Sequence, residues 1–459
     1  MVLSISYGGG TMPVLVKPFS INTMESPAQL QEAMRVMNLD IPMGEDYSVF
    51  RRPVTVGENR LPNSLAVNPM EGSDAGINGA PGEPTFRRYE TYARSGAGTI
   101  WFEACAFMPD GRGGPNQLYI NGASVKEFAR LTARVDELCR QKFGYKPYKI
   151  LQLSHAGRAS HDLEGSAKPL TVCENPWLDP YYPGVEVVSD GYIEHVEEEL
   201  VKAACLAKEA GFDAVDLKMC HDFLLREFLS AFTRQGKYGG SFENRTRFYF
   251  SCIDKIRERL KGTLDIAVRI NAYDSIPYPY GWGMLQENGI MREDLDEPIR
   301  LIRLLVKRGI HMFSISTMTP RFAPRNHGYV ANFKPDAKVN PYEGASALLE
   351  ATRRIKRMVP EAILISAGLS LFEKYAMQVG AGGIKEGWFD IAGYGRQVLA
   401  DPHFIECALS GIQARPEAAC RVCDSCFQCL GLGWPAGCAV HDSLYRAILK
   451  IANTMEKTG

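Results

Sequence analysis

Lys218 and His221 close an apolar run, Ala214–Met219, and Phe223 follows at once. An ammonium beside a carbonyl or carboxylate oxygen stabilises developing negative charge, and a neighbouring imidazole can share that oxygen or relay a proton. Tyr273, Asp274, Tyr278 and Tyr280 crowd a later proline-rich stretch. Tyr273 or Asp274 is the expected proton donor, since an unperturbed phenol holds its proton to about pH 10. Trp282 and Phe223 are candidate walls of an apolar pocket. Arg158 and Arg269 end two other apolar runs and would add fixed positive charge to the same region. Gly368, then Gly393, Gly395 and Arg396, suit a phosphate cradle. Backbone N–H groups approach an anion closely at glycines, and a guanidinium binds it through two parallel hydrogen bonds.

The chain has 12 cysteines, too scattered for a disulfide scaffold. Seven stand alone (Cys105, Cys139, Cys173, Cys205, Cys220, Cys252, Cys407) and read as small buried hydrophobes. Five crowd between Cys420 and Cys438. Cys423, Cys426, Cys429 and Cys438 form a four-thiolate set, with Cys420 spare. Soft thiolates at that density select zinc or an iron–sulfur cluster, and spacing alone leaves both open.

These residues need a scaffold that gathers strand ends. From Leu65 the sequence alternates short apolar runs with amphipathic ones, eight times. The candidate strands are Leu65–Met70, Thr99–Phe107, Lys149–Ser154, Ala214–Met219, Asp265–Ile270, His311–Ser316, Ala362–Ser366 and Phe389–Gly393. Several are continuous apolar runs, as strands buried on both faces require. Helical patterns lie between them, among them Glu194–Ala210, Glu297–Lys307 and Gly344–Met358. The expected architecture is a (β/α)8 TIM barrel over residues 65–415, with an N-terminal extension (1–64) and a cysteine-rich C-terminal tail (416–459). A doubly wound sheet would want a glycine fingerprint after its first strand, and none is there. Thr171–Gly184 and Ser275–Gly283 read as long loops at the carboxyl ends of strands three and five, where such barrels build their sites.

The chain has 459 residues, 45% hydrophobic and 23% charged, with net charge -1. That balance gives no electrostatic reason to expect nucleic acid or a membrane surface as partner. No apolar stretch reaches a membrane span, and the first residues lack the basic-then-apolar pattern of a signal peptide, so cytoplasm is the expectation.

Phe228–Phe248 reads FLSAFTRQGKYGGSFENRTRF, a glycine-pair turn at Gly239-Gly240 with Ser241 placed to cap the next helix. This stretch closely resembles the signature of the old yellow enzyme family of FMN-dependent oxidoreductases. The resemblance covers about residues 60–410. It implies that Gln152, ahead of His155-Ala156-Gly157-Arg158, hydrogen-bonds the flavin ring. It implies that Arg269 lies beside the flavin N1 and O2 edge, and that Gly368, Gly395 and Arg396 hold the FMN phosphate. Asn68, Pro69, Met70 and Ala104 match backbone segments around the isoalloxazine, and His155, Arg158, Phe223 and Trp282 are expected to face substrate. Many members carry His at position 218, His or Asn at 221 and a proton-donating Tyr at 223. This chain has Lys218, His221 and Phe223, and Phe223 cannot donate.

The cysteine run resembles that of the family's iron–sulfur branch, which includes trimethylamine dehydrogenase and the 2,4-dienoyl-CoA reductases. It implies a [4Fe–4S] cluster, with Zn as the alternative. The leading expectation is reduction of an activated C=C bond in a small-molecule substrate by hydride from FMN. Electrons would come from NAD(P)H or from a ferredoxin-type electron-transfer protein. The alternatives are an oxidative amine or betaine dehydrogenase or demethylase, and a non-catalytic electron carrier. A homo-oligomer is left open.

Overall fold

The computed structural model describes residues 2–7, 10–15, 21, 24–162, 165–319 and 341–456. Eight parallel strands form the core sheet: β1 (Leu65–Val67), β2 (Thr99–Ala106), β3 (Tyr148–Ser154), β4 (Ala214–Leu217), β5 (Asp265–Asn271), β6 (Met312–Ser316), β7 (Ile363–Ile365) and β8 (Ala392–Tyr394). Their order is β7-β6-β5-β4-β3-β2-β1-β8, and a parallel bridge from Ile365 to Ile391 closes the ring. All eight strands fall where the alternation of apolar and amphipathic runs puts them.

The outer ring includes α1 (Glu83–Ser95), α2 (Val125–Phe143), α3 (Asp190–Glu209), α4 (Phe242–Leu260), α5 (Asp296–Lys307), α6 (Pro341–Met358) and α7 (Ala376–Lys385). No described helix is long and apolar enough to cross a membrane.

Side chains alternate faces along a strand, so every second residue points into the barrel. Ala66, Trp101, Ile150, Ala214, Ala267, Met312 and Ile365, with Ile391 just before β8, form one apolar cluster. A short hairpin, Val54–Val56 with Asn59–Leu61, packs Val56 and Leu61 against this tier and plugs the barrel floor. Two residues further along each strand the character changes. Asn68, Gln152, Asp216, Arg269, Ser314 and Gly393 form a polar tier, and Met70, Ser154, Lys218, Asn271, Ser316 and Gly395 stand above it at the rim. On β2 a register shift between Phe102 and Ala104 puts Ala104, not Glu103, opposite Gln152. Such a bulge re-aims the side chains beyond it. Glu103 instead reaches outward to Arg88 at 2.6 Å.

The Phe228–Phe248 stretch proves to be scaffolding. Gly240 has φ +75, and a Cβ on Gly239 would lie 2.2 Å from the Arg234 carbonyl oxygen, so only glycine makes this turn without strain. The Ser241 side chain accepts from the Asn244 N–H at 3.3 Å and caps α4. Buried Arg245 then donates to the Leu229 carbonyl at 2.5 Å and pairs with Glu297 of α5 at 2.7 Å. The loop after β4 is thereby tied to two helices.

The loop after β5 is longer than expected. Beyond Gly283 it forms a hairpin, Met284–Glu287 with Ile290–Glu293, around Asn288-Gly289. Both turn residues have positive φ, 51 and 78, the turn that Asn-Gly favours.

The cysteine-rich tail packs against the segments that follow β8 and β1 and against α1. Its helices are α10 (Ser425–Gly431) and α11 (Ser443–Glu456), following α8 (Arg396–Ala400) and α9 (Phe404–Ser410). Cys420 N–H donates to Gln397 Oε1 at 3.1 Å, and Asp424 pairs with Arg396 at 2.5 Å. Ala436 N–H donates to the Gly72 carbonyl at 2.7 Å, and Arg87 of α1 pairs with Asp442 at 2.7 Å.

Candidate active site

The polar tier is organised around one carboxylate. Asp216 is fully buried and accepts three hydrogen bonds: from Gln152 Nε2 at 2.6 Å, Trp101 Nε1 at 3.0 Å and the Arg269 backbone N–H at 2.8 Å. Burial pushes this carboxyl up to about 6, while the hydrogen bonds and the Arg269 charge pull it back down. Arg269 buries its Nε with no partner among the described residues, and Asn68 does the same with Oδ1. Asn68 Nδ2 donates to the Ser366 carbonyl at 3.0 Å. Both atoms belong to residues of the polar tier, where a bound polar group would satisfy them.

Around them the backbone closes in. A Cβ on Gly393 would come within 2.4 Å of the Ser366 carbonyl oxygen, and one on Gly395 within 2.8 Å of Met70 Sδ. Gly368 has φ +79, and Pro69 and Met70 remain half-buried at the rim. The Ala104 carbonyl accepts from Gln117 Nε2 at 3.2 Å. Arg396 stands beside the glycines, paired with Asp424 of the tail. An orphaned guanidinium nitrogen, a fixed amide and glycine-lined turns beside Arg396 fit a flavin mononucleotide with its ring over the polar tier.

Lys218 is 3% exposed, with Nζ 3.1 Å from the Phe223 ring centroid. A cation over an aromatic face is attracted by the ring quadrupole. Among the described residues Lys218 has no hydrogen bond or ion pair. Burial pushes its ammonium below the ordinary lysine range; Cys220 and Glu71 pull it back up and Arg269 pushes it further down. His221 has φ +64, a conformation costly for a non-glycine residue, fixed by Arg226 Nε donating to its carbonyl at 2.6 Å. Its N–H reaches Asn271 Oδ1 at 3.2 Å, and Nε2 lies 3.2 Å from Ser316 Oγ. Burial, with Arg269, Lys218 and Arg226 nearby, holds the imidazole well below its ordinary pKa and hence neutral. Glu71 stands at the rim after Met70. Burial raises its carboxyl against the opposing pull of Lys218 and Arg88. Its segment is braced where Gly72 N–H donates to Glu103 at 2.6 Å and Arg88 donates to the Met70 carbonyl at 3.2 Å.

The other expected residues lie elsewhere. Tyr273 is 3% exposed and faces a cavity of about 460 Å³ whose lining includes Asn38, Glu293, Ser346 and Glu350, on the outer side of the barrel. Asp274 is buried in an ion pair with Arg226 at 2.7 Å and also accepts from Asn271 and the Trp282 N–H. Neither is placed to protonate a substrate in the mouth. Trp282 is fully buried, its Nε1 donating to the Asn271 carbonyl at 2.9 Å. His155 is buried with Nε2 2.9 Å from the Tyr192 hydroxyl, which reaches Asp110 at 2.9 Å. Arg158 donates to Glu227 at 2.5 Å, Thr171 at 2.8 Å, the Cys173 carbonyl at 3.1 Å and to Asp179. These three are committed to packing loops rather than to a ligand.

In the tail, mutual electrostatic influence links Cys420 with Cys423 and Cys438, and Cys426 with Cys420 and Cys423. Cys429 is fully buried and shows no such link to another thiol. Cys420, Cys423, Cys426 and Cys438, spaced C-x2-C-x2-C-x11-C, thus bear on one another electrostatically and form a second candidate set beside the expected Cys423, Cys426, Cys429 and Cys438. Among the described residues no cluster of His, Cys, Asp or Glu is already drawn tight enough to hold an ion.

The sequence passed over Asp216 and Glu71. An aspartate inside a buried strand, two residues before Lys218, was the available sign for the first; Glu71 carried only its position at a strand end.

The sequence model of the family described as NADH:flavin oxidoreductase / NADH oxidase matches residues 48–281. The chain is 32% identical over 227 residues to an NADPH dehydrogenase of Bacillus subtilis (strain 168), covering 48% of this chain and 63% of that one. It is 26% identical over 396 residues to an NADH oxidase of Thermoanaerobacter brockii, covering 82% and 52%. It thus spans less than two thirds of the length of these relatives. Among solved structures, a 2-naphthoyl-CoA reductase complex has TM-score 0.70 at 20% identity, covering 88% of this chain and 58% of that one. Morphinone reductase in complex with tetrahydroNAD has TM-score 0.56 at 21% identity, covering 80% and 92%. At such identities the likeness establishes the shared barrel fold.

Proposed function

Because the chain belongs to the NADH:flavin oxidoreductase / NADH oxidase family, we propose that it is an FMN-dependent oxidoreductase that reduces a C=C bond conjugated to a carbonyl or carboxylate. Bound FMN would supply the hydride to the β-carbon. The observation that carries the reading is Lys218: a buried ammonium with no hydrogen-bonding partner among the described residues, set beside neutral His221 at the rim. Lys218 holds the acceptor oxygen as negative charge builds on it, and His221 shares that oxygen as a hydrogen-bond donor. Glu71, whose carboxyl is raised by burial against the pull of Lys218 and Arg88, is proposed in place of Tyr273 and Asp274 as the donor to the α-carbon. Gln152 and Arg269 would hold the flavin ring, and Gly368, Gly395 and Arg396 would hold its phosphate. Cationic Lys218 and Arg269 in one mouth disfavour the amine cations that an oxidative dehydrogenase would take.

The tail thiols Cys420, Cys423, Cys426 and Cys438 are proposed to hold a [4Fe–4S] cluster beside the phosphate end of the flavin, as an entry for electrons from a carrier protein. NAD(P)H is the alternative donor. The test is anaerobic. Reduced, flavin-loaded protein is mixed with a panel of enones and enoates, oxidised protein with a panel of methylamines, and the flavin absorbance is followed. Rapid reoxidation by the first panel is expected. Reduction by the amines, with inert enones and enoates, would overturn the reading.

A further inference from the structure

Asp216 has no role in the chemistry above, yet it is the centre of the polar tier. It draws donors from β2 (Trp101), β3 (Gln152) and β5 (the Arg269 N–H), each within 3.0 Å. Directly below lie Ile150, Ala214 and Ala267 of the apolar cluster. An apolar residue there would avoid the cost of burying a charge, so packing alone gives no reason for a carboxylate.

We propose that Asp216 is a positioning residue that fixes Gln152 and Arg269 toward the flavin and places one negative charge beneath the ring; this rests on the flavin-binding reading. A carboxylate accepts only, so Gln152 must turn Nε2 toward it and leave Oε1 free to face the mouth. No described residue donates to that Oε1. The hydrogen bond to the Arg269 N–H holds the β5 backbone from which the unpartnered Nε projects. The titratable groups that bear on Asp216 are Arg269 from β5 and, just beyond its own strand, Lys218 and the neutral thiol of Cys220, which burial raises to about 11; β2 and β3 contribute only the neutral Trp101 and Gln152.

A negative charge there opposes formation of an anionic reduced ring. Removing it should make the flavin easier to reduce. The raised carboxyl, near 6, places a change of charge within reach of ordinary buffers.

The test is reduction of the flavin-loaded protein against a reference dye, from pH 5 to 8. Asp216→Asn should retain FMN and shift the equilibrium toward the reduced flavin by tenfold or more, about 30 mV for a two-electron couple. The inflection expected near pH 6 in the unaltered protein should be absent from this variant. Trp101→Phe removes one donor without touching the charge and should move that inflection to higher pH, which keeps the proposal testable if Asp216→Asn fails to fold. A flavin-loaded Asp216→Asn with unchanged potential and pH slope, or an unmoved inflection in Trp101→Phe, overturns the positioning role and leaves the flavin reading standing. An unaltered chain that takes up no flavin overturns both.

Discussion

At the scale of single residues, this site places a lysine where the family resemblance leads to the expectation of histidine. Lys218 is buried, stacked on Phe223 and otherwise unpartnered among the described residues, so its ammonium is available to an incoming oxygen. Lys218→Ala should leave FMN bound and slow flavin reoxidation by an enoate about 10²- to 10³-fold, the range for loss of one charge-stabilising donor. Unchanged stopped-flow kinetics would remove Lys218 from the chemistry. Glu71 has the opposite electrostatics: burial raises its pKa, so the carboxyl keeps its proton to higher pH than an ordinary glutamate. The rate should therefore fall as pH rises through that raised value. In Glu71→Gln the rate should drop by about 10²-fold or more, and the alkaline decline should disappear. A Glu71→Gln variant with the parental pH profile would require another acid.

At the scale of elements, the strand period decides which residues meet. Ala214, Asp216 and Lys218 of one strand climb from apolar floor to polar tier to rim. The bulge in β2 is the exception, and it turns Ala104 rather than Glu103 inward. Helices hold the strand ends at fixed heights. Ser241 caps α4, and Arg245 ties the loop after β4 to α5. Ser241→Ala should cost about 1 kcal/mol in urea unfolding while leaving reoxidation kinetics intact. A lower rate constant in the folded variant would mean that the capped turn also positions the mouth.

At the scale of the whole molecule, the tail joins the segment after β8 to the β1 loop. It meets Arg396 and Gln397 on one side and Gly72 on the other. That placement suits a redox centre close to the flavin, and the proposed ligands are Cys420, Cys423, Cys426 and Cys438, which bear on one another electrostatically. Cys420→Ser should abolish the iron and sulfide content of anaerobically purified protein, whereas Cys429→Ser should retain it. The reverse result would restore Cys429 as a ligand, and bound zinc without sulfide would replace the cluster with a structural ion.

The barrel was legible in the sequence because burial on both faces of a parallel strand demands continuous apolar runs, and eight of them stand out between amphipathic helices. Gly393 and Gly395 were legible as tight-turn positions for a similar reason: close backbone approach admits few residue types. The direction of a loop side chain is not local. Tyr273 and Asp274 share a proline-rich segment, yet one turns to an outer cavity and the other to Arg226. His155 and Arg158 likewise went to partners on distant segments, Tyr192 and Glu227. Spacing alone did not separate Cys420 from Cys429 as the fourth thiol; the electrostatic links of Cys420 to Cys423 and Cys438 bring it into the proposed set, and the iron and sulfide measurement decides between the two. Periodicity and chain stereochemistry act between neighbours and are written in the sequence. Which buried charge finds which partner depends on contacts between residues far apart in the chain, and the closed barrel alone decided those.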